Sequence, residues 1–281
     1  MSKWPITSLK GKINIKHGFP FKSEYFSDEA TQFIVLTPGN FYEEGGFKRQ
    51  AGKEKFYTED IPEEYLHQAG DLIVAMTEQA AGLLGSCARV PESGIYLHNQ
   101  RLGLVTTDSK KILRDYIYHL FKTKTVREQI RLTSSGSKVK HTSPERIYDV
   151  RVPLPTVLEQ QNIVALLDAL ETKIELNNRI NAELEAVAKT LYDYWFVQFD
   201  FPDDSPQGQG KPYKTSGGKM VYNPTLKREI PEGWSDKTLS EIANITMGQS
   251  PEGSSYNDEG VGTIFYQGST DFGWLFPTTR Q

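Results

Sequence analysis

The chain has 281 residues, of which 37% are apolar and 24% charged, with a formal net charge of −4. This accommodates one or two globular domains with a sizeable core and excludes a disordered chain. The one cysteine, Cys87, excludes a disulfide framework and any Cys-rich zinc site.

In chain order, residues 1–5 lack the apolar stretch of a secretory signal. The run Phe33-Ile34-Val35-Leu36-Thr37 ends at Pro38-Gly39-Asn40 and predicts a strand. Leu72-Ile73-Val74-Ala75-Met76 after Gly70-Asp71, and Leu102-Gly103-Leu104-Val105-Thr106, predict two more. Leu113, Tyr116, Ile117 and Leu120 recur at helical spacing, so residues 111–132 read as one helix. Ser134-Ser135-Gly136-Ser137 breaks it, and the basic loop Lys138-Val139-Lys140-His141 follows. Ser143 before Pro144 has the form of an N-cap with proline at the first helical position. Residues 110–151 carry eleven basic and four acidic side chains, a local +7 within an acidic chain. Such a block points to an anionic partner, nucleic acid first, or to a solvated helix face.

Pro153-Leu154-Pro155 punctuates the chain, and residues 156–199 then read as a long amphipathic helix. Ile163, Leu167, Leu170, Ile174, Asn177, Asn181, Leu184, Ala188, Leu191 and Trp195 step alternately by four and three. That is a coiled-coil seam of about four and a half heptads, with two register-setting asparagines at its middle. Its apolar runs, including Ile163-Val164-Ala165-Leu166-Leu167, fall well short of the about 18 residues of a membrane span. A soluble, cytoplasmic protein with no membrane partner is therefore expected. Residues 200–232 are dense in proline and glycine and predict a linker without regular structure.

Residues 3–51 align with 233–281 at a constant offset of 230. Identical pairs are Trp4/Trp234, Leu9/Leu239, Asn14/Asn244, Ile15/Ile245, Gly18/Gly248, Asp28/Asp258, Glu29/Glu259 and Ile34/Ile264. The match reads as an internal repeat whose second copy is a stub, so the chain is expected to be truncated relative to a two-copy ancestor. The expected divisions are 1–155, 156–199, 200–232 and 233–281.

Catalytic signatures are not found. Gly208-Gln209-Gly210-Lys211 does not follow a predicted strand and is no phosphate loop. Asp271-Phe272-Gly273 matches a kinase tripeptide without the other kinase elements, and Asn223-Pro224-Thr225 is not the Asn-Pro-Pro-aromatic loop of an adenine methyltransferase. His17, His67, His98, His119 and His141 show no metal-ligand spacing, so no metal site is expected.

Pro153-Leu154-Pro155 with Glu159-Gln160-Gln161-Asn162-Ile163-Val164 opening a long helix resembles the conserved region of type I restriction-modification DNA-specificity (S) subunits. Residues 212–221, residues 228–234 and the Lys140-His141-Thr142-Ser143-Pro144 segment resemble further parts of that family. The resemblance implies an α+β fold: a β-rich target-recognition domain with helices, a long coiled-coil helix, and an incomplete second copy. It implies a non-catalytic subunit that reads one half of a split site in double-stranded DNA. Methyltransferase (M) subunits would supply the chemistry with S-adenosylmethionine, and a restriction/translocase (R) subunit would cleave, so this chain itself needs no cofactor. The missing second helix implies a homodimer through Ile163, Leu167, Leu170, Ile174, Asn177, Asn181, Leu184, Leu191 and Trp195. A coiled-coil scaffold that binds protein and a silent specificity cassette are the alternative readings.

Base edges are read by Arg, Lys, Asn and Gln, whereas phosphate contacts only position a protein. Gln79 after the second strand, and Asn99, Gln100 and Arg101 before the third, are the expected base readers. Ser137, Lys138, Lys140, His141 and Thr142 are the expected phosphate contacts, with Tyr42, Lys48 and Arg49 weaker candidates.

Overall fold

The structure, a computed structural model, describes residues 4–80, 82–136, 139–257, 259 and 261–266. It divides into two compact units, residues 1–182 and 183–281. Mixed sheets and helices make the fold α+β. Among the described residues no helix is long and apolar enough to cross a membrane.

The first unit opens with strands β1 (Ile6–Ser8), β2 (Ile13–His17), β3 (Phe26–Ser27), β4 (Phe33–Leu36) and β5 (Phe56–Tyr57). Strands β6 (Leu72–Ala75), β7 (Cys87–Arg89), β8 (Tyr96–His98) and β9 (Leu102–Thr107) follow. They build two four-stranded sheets, ordered β2-β9-β6-β7 and β3-β5-β4-β8. The first is wholly antiparallel; in the second, β4 and β8 run parallel.

Strand β6 explains the uninterrupted apolar run in the sequence. Leu72 and Val74 enter one core, shared with the helices. Ile73 and Ala75 enter another, shared with Leu36 and Tyr96 of the second sheet. A strand covered on both faces has no polar side to alternate with.

Helices α1 (Arg114–Lys122) and α2 (Lys124–Leu132) replace the single helix expected over 111–132. Thr123 is the reason. Its backbone is extended, and its hydroxyl accepts from the Val126 N–H, so it caps a new helix instead of continuing the old one. Helix α3 (Pro144–Tyr148) starts as the sequence foretells, with the Ser143 hydroxyl accepting from the Arg146 N–H. Strand β10 (Arg151–Pro153) then pairs with β1.

Helix α4 (Val157–Tyr192) spans 36 residues, about 54 Å at 1.5 Å per residue. A capping box begins it: the Glu159 carboxylate accepts from the Thr156 N–H at 3.0 Å, and the Thr156 hydroxyl accepts from the Glu159 N–H at 3.3 Å. A π-helical turn, Asp193–Val197, follows, and Phe199 then takes a left-handed backbone (φ 64°) that ends the helical path.

The second unit corrects the expectation that residues 200–232 lack regular structure. Strands β11 (Pro202–Asp203) and β12 (Lys211–Pro212) pair, as do β13 (Met220–Asn223) and β14 (Arg228–Pro231). Pro202, Pro212 and Pro231 lie in two-residue strands or at a strand end, where a missing N–H is tolerated; Pro206 and Pro224 lie in turns, where Gly210 and Gly217 also adopt positive φ. Phe201 stacks between Tyr213 (4.8 Å) and Trp234 (5.2 Å), and Arg228 lies over the Phe199 ring at 4.5 Å. One local feature recurs at the 230-residue offset. A 3-10 turn at Ser23–Tyr25 recurs at Gly253–Ser255, offset by 230. Packing does not recur: Leu9 is 0% exposed and its counterpart Leu239 is 69% exposed.

Candidate nucleic-acid interface

Strands β4, β6 and β8 end, and β9 begins, along one rim of the first unit. The backbone of Met76 joins three loops there. Its N–H donates to the Arg101 carbonyl at 2.9 Å, and its carbonyl accepts from the Thr142 N–H at 2.9 Å. The Glu78 N–H donates to the Lys140 carbonyl at 2.8 Å, and Thr77 Oγ1 lies 3.1 Å from His141 Nδ1. Residues far apart in sequence, 76–79, 99–101 and 139–142, are thereby held as one surface.

Local chemistry sets the shape of each loop. Ser135 and His141 exchange both backbone hydrogen bonds, at 2.9 and 2.8 Å. Gly136 has φ 101° there, and a Cβ would stand 2.1 Å from the Val139 carbonyl oxygen, so glycine is required. Gly18 is required for a different reason: its Cβ would stand 2.1 Å from the Asn99 carbonyl oxygen. The loop after β6 is braced by the Glu78 carboxylate, which accepts from the Gly82 N–H at 3.1 Å. Arg127 braces it from the other side, donating to the carbonyls of Gly82, Leu84 and Glu43.

Of the expected base readers, Gln79, Gln100 and Arg101 are exposed on this rim. Asn99 is buried, and its Oδ1 accepts from the Arg101 N–H at 3.1 Å, so that oxygen forms the turn. Among the expected phosphate contacts, His141 is exposed and Lys140 half-buried. Thr142 is buried, and its Oγ1 has no hydrogen-bond partner among the described residues. Ser137 and Lys138 lie outside the described residues, as do Asp271, Phe272 and Gly273. Tyr42 is exposed with Lys48 Nζ 5.9 Å from its ring, and Arg49 pairs with Glu92.

The +7 block is not one patch, because much of its charge is engaged within the domain. Arg127 is bound to carbonyls, Arg114 pairs with Asp71 at 3.4 Å, Lys111 with Asp108 at 2.9 Å, and Lys122 with Glu171. Composition counts charges; only the fold shows which ones face outward.

Two clusters escaped the sequence reading because their members lie on separate elements without a local motif. In one, His67 Nε2 lies 2.8 Å from His98 Nδ1, and His67 Nδ1 lies 3.2 Å from Asp71. Burial pushes His98 down to about 3 and also lowers His67, the latter against its bond to Asp71. In the other, His119, Asp168 and Glu171 bring three potential ligand atoms within 4.8 Å of one another. Other side chains already engage these carboxylates: Arg89 and the His119 ring on Asp168, Lys122 on Glu171. Burial would raise both acids, but those bonds hold each below its usual range. The trio is an ion-pair network rather than a vacant cation site.

Along α4 every residue from 172 to 192 is exposed. The seam is therefore solvent-facing at Leu170, Ile174, Asn177, Asn181, Leu184 and Leu191. Leu167 and Trp195 are half-buried. Ile163 departs from the expected role, since it packs against the core of the first unit.

The profile of the type I restriction modification DNA specificity domain matches residues 1–186. The MjaIX type I specificity subunit of Methanocaldococcus jannaschii is 33% identical over 137 residues, 49% of this chain and 29% of that protein. The putative MjaX specificity subunit of the same organism is 29% identical over 237 residues, 79% of this chain and 50% of that protein. A crystal structure of a type I S subunit from M. genitalium aligns with a TM-score of 0.49 at 14% identity, covering 70% of this chain and 46% of that one. The chain thus spans half or less of the length of these relatives. With a profile matching more than half of it, the chain belongs to the type I restriction modification DNA specificity domain family.

Proposed function

We propose that this chain is a sequence-specific DNA-binding subunit of a type I restriction-modification system, and that its first unit reads one half of a split duplex site. The observation that carries this reading is the rim. Three loops bearing exposed Gln79, Gln100 and Arg101 and half-buried Lys140 are stitched together by backbone bonds, in a chain of the DNA specificity family. Glutamine and arginine have the donor and acceptor geometry for adenine and guanine edges, and lysine suits phosphate. In this reading residues 1–155 form the target-recognition domain and 156–199 the spacer helix. The subunit itself is non-catalytic. Methyl transfer from S-adenosylmethionine belongs to an M subunit and cleavage to an R subunit, and the complex works in the cytoplasm, where its DNA lies.

The exposed seam of α4 supports a second component of the proposal: two copies associate through it. Leu170, Ile174, Leu184 and Leu191 present apolar surface at heptad spacing, and two symmetric half-site readers would recognise a palindromic split site. Co-expression with an M subunit, followed by mapping N6-methyladenine in host DNA, tests both components. A palindromic split motif is expected. An asymmetric split motif would mean that another specificity chain supplies the second half. No new methylation from soluble, co-purifying subunits would overturn the reading and favour a silent cassette.

A further inference from the structure

Helix α4 touches the first unit along one stripe, Gln160, Ile163, Val164, Leu167, Asp168 and Glu171, spaced by threes and ones. Beyond Glu171 it is exposed on every side to Tyr192. The last two members of that stripe therefore set the direction in which the helix leaves. Both meet Arg89.

Arg89 ends β7, at the edge of the first sheet. Its Nε donates to Asp115 of α1 at 2.9 Å, its Nη2 to Asp168 of α4 at 2.9 Å, and its Nη1 lies 3.9 Å from Glu171. The guanidinium lies over the Tyr118 ring at 4.1 Å. Tyr118 in turn donates to Glu171 at 2.7 Å, and His119 Nε2 lies 2.8 Å from Asp168. One planar, multi-donor group thus ties a sheet edge, α1 and α4 together, which a lysine ammonium with its single point charge cannot do.

We infer that Arg89 is a positioning residue that fixes the exit angle of α4, and through it the spacing between half-sites that the assembled protein accepts. The inference rests on the reading of this chain as a DNA-specificity subunit. Its physical basis is a lever. From Glu171 to Tyr192 the helix runs about 32 Å, so a tilt of about 10° at the hub moves its end by about 5 Å. DNA rises 3.4 Å per base pair, so that tilt corresponds to about one and a half base pairs of spacer. Removing Arg89 cuts the tie between the β7 edge and α4 and leaves Asp115 and Asp168 without their shared cation, while Tyr118, His119 and Lys122 still join α1 to Asp168 and Glu171. Gln160, Ile163 and Val164 still hold the first two turns, so the helix tilts rather than detaches.

The test uses the full chain with nitroxide labels at Lys10→Cys and Lys189→Cys, both exposed positions. The native Cys87 is fully buried, and burial pushes its thiol up to about 12, so it stays unlabelled. Pulsed-electron-resonance distances are compared among the parent, Arg89→Met, Arg89→Lys and Asp168→Asn proteins. Arg89→Met should shift or broaden the distribution by about 5 Å, with Arg89→Lys and Asp168→Asn in between. On duplexes carrying the mapped motif with the spacer changed by one base pair, Arg89→Met should discriminate spacers about fivefold less than the parent, with base preference unchanged. If Arg89→Met does not fold, the two milder variants carry the test. An unchanged distance distribution, or a changed one with undiminished spacer discrimination, overturns the inference. A parent protein that marks no split site overturns the specificity reading instead, and the distance measurement still decides whether Arg89 holds the helix.

Discussion

His67 Nε2 stands 2.8 Å from His98 Nδ1, and neither ring is open to solvent. His98 Nε2 also approaches the Lys16 carbonyl at 3.3 Å, so the pair ties β8 to β2 immediately before the Asn99–Arg101 turn of the rim. Burial holds His98 near 3, whereas in the unfolded chain it titrates near 6.5. Between these values the unfolded state binds more protons than the folded one, so stability rises with pH across that window. It is complete above about 6.5 and is lost progressively as the pH falls toward 3.

The expected consequence is acid sensitivity of the first unit. His98 alone lowers its stability by about 2 kcal/mol between pH 7 and pH 5. Urea unfolding followed at both pH values measures this. His98→Gln is less stable at pH 7 but should show a flatter pH slope. An equally steep slope in the variant would assign the acid sensitivity to other groups.

The repeat supplies an internally controlled comparison. Gly18 and Gly248 are matched by the 230-residue offset of the sequence, yet a Cβ at Gly18 would meet backbone oxygens of Asn99 and His98 at 2.1 and 2.3 Å, and one at Gly248 meets nothing within 4 Å among the described residues. Gly18→Ala should destabilise the first unit by at least about 2 kcal/mol, because backbone cannot move aside as a flexible side chain can. Gly248→Ala should be neutral within about 0.5 kcal/mol. Paired denaturation curves of the two variants check this; equal effects would mean that the close approach of Gly18 to the rim turn is not a constraint.

Gln160 shows how much of the helix junction was written in the sequence. The Glu159-Gln160-Gln161 segment stands out as part of the family resemblance, and the structure gives one of its members a physical role. Gln160 is 0% exposed; its Oε1 accepts from the Leu113 N–H, and its Nε2 donates to the carbonyls of Lys111 and Pro155. It satisfies backbone groups before α1 and before α4 together. Gln160→Leu keeps the volume but strips those groups of partners, and should cost roughly 2–4 kcal/mol. A loss under 1 kcal/mol in thermal or chemical melts would show that water replaces the amide.

Legibility followed the range of the interaction. The apolar run of β6, the Ser143 cap and the helical period act within a few residues and are legible in the sequence, although the helix expected over 156–199 ends as α-helix at Tyr192. The break at Thr123 is also local, but strong apolar spacing on both sides obscured it. Pairings over long separations left no pattern: His67 with His98, Arg89 with Asp168, Met76 with Arg101 and Thr142. Asn99 illustrates the limit at the rim. Its type suits a base reader equally well as a turn former, and only its burial and its bond to the Arg101 N–H distinguish the two.

Lys140 and Gln100 separate the two kinds of DNA contact the rim would make. Lys140 contributes its backbone carbonyl to the loop, through the Glu78 N–H, so Lys140→Ala removes the ammonium and leaves that bond intact. If the ammonium meets a phosphate, cognate and scrambled duplexes should weaken alike, and the slope of log affinity against log salt should fall by about one. Gln100 is exposed in the turn between β8 and β9, and its side chain can bond two atoms on one adenine edge. Gln100→Ala should leave the salt slope unchanged and lose about 1–3 kcal/mol of discrimination at a single base pair. Titrations at several salt concentrations, on the mapped motif and on each single-base variant, read both effects. Equal losses on cognate and scrambled DNA in both variants would sink the division of labour, since a base reader must affect one sequence more than another.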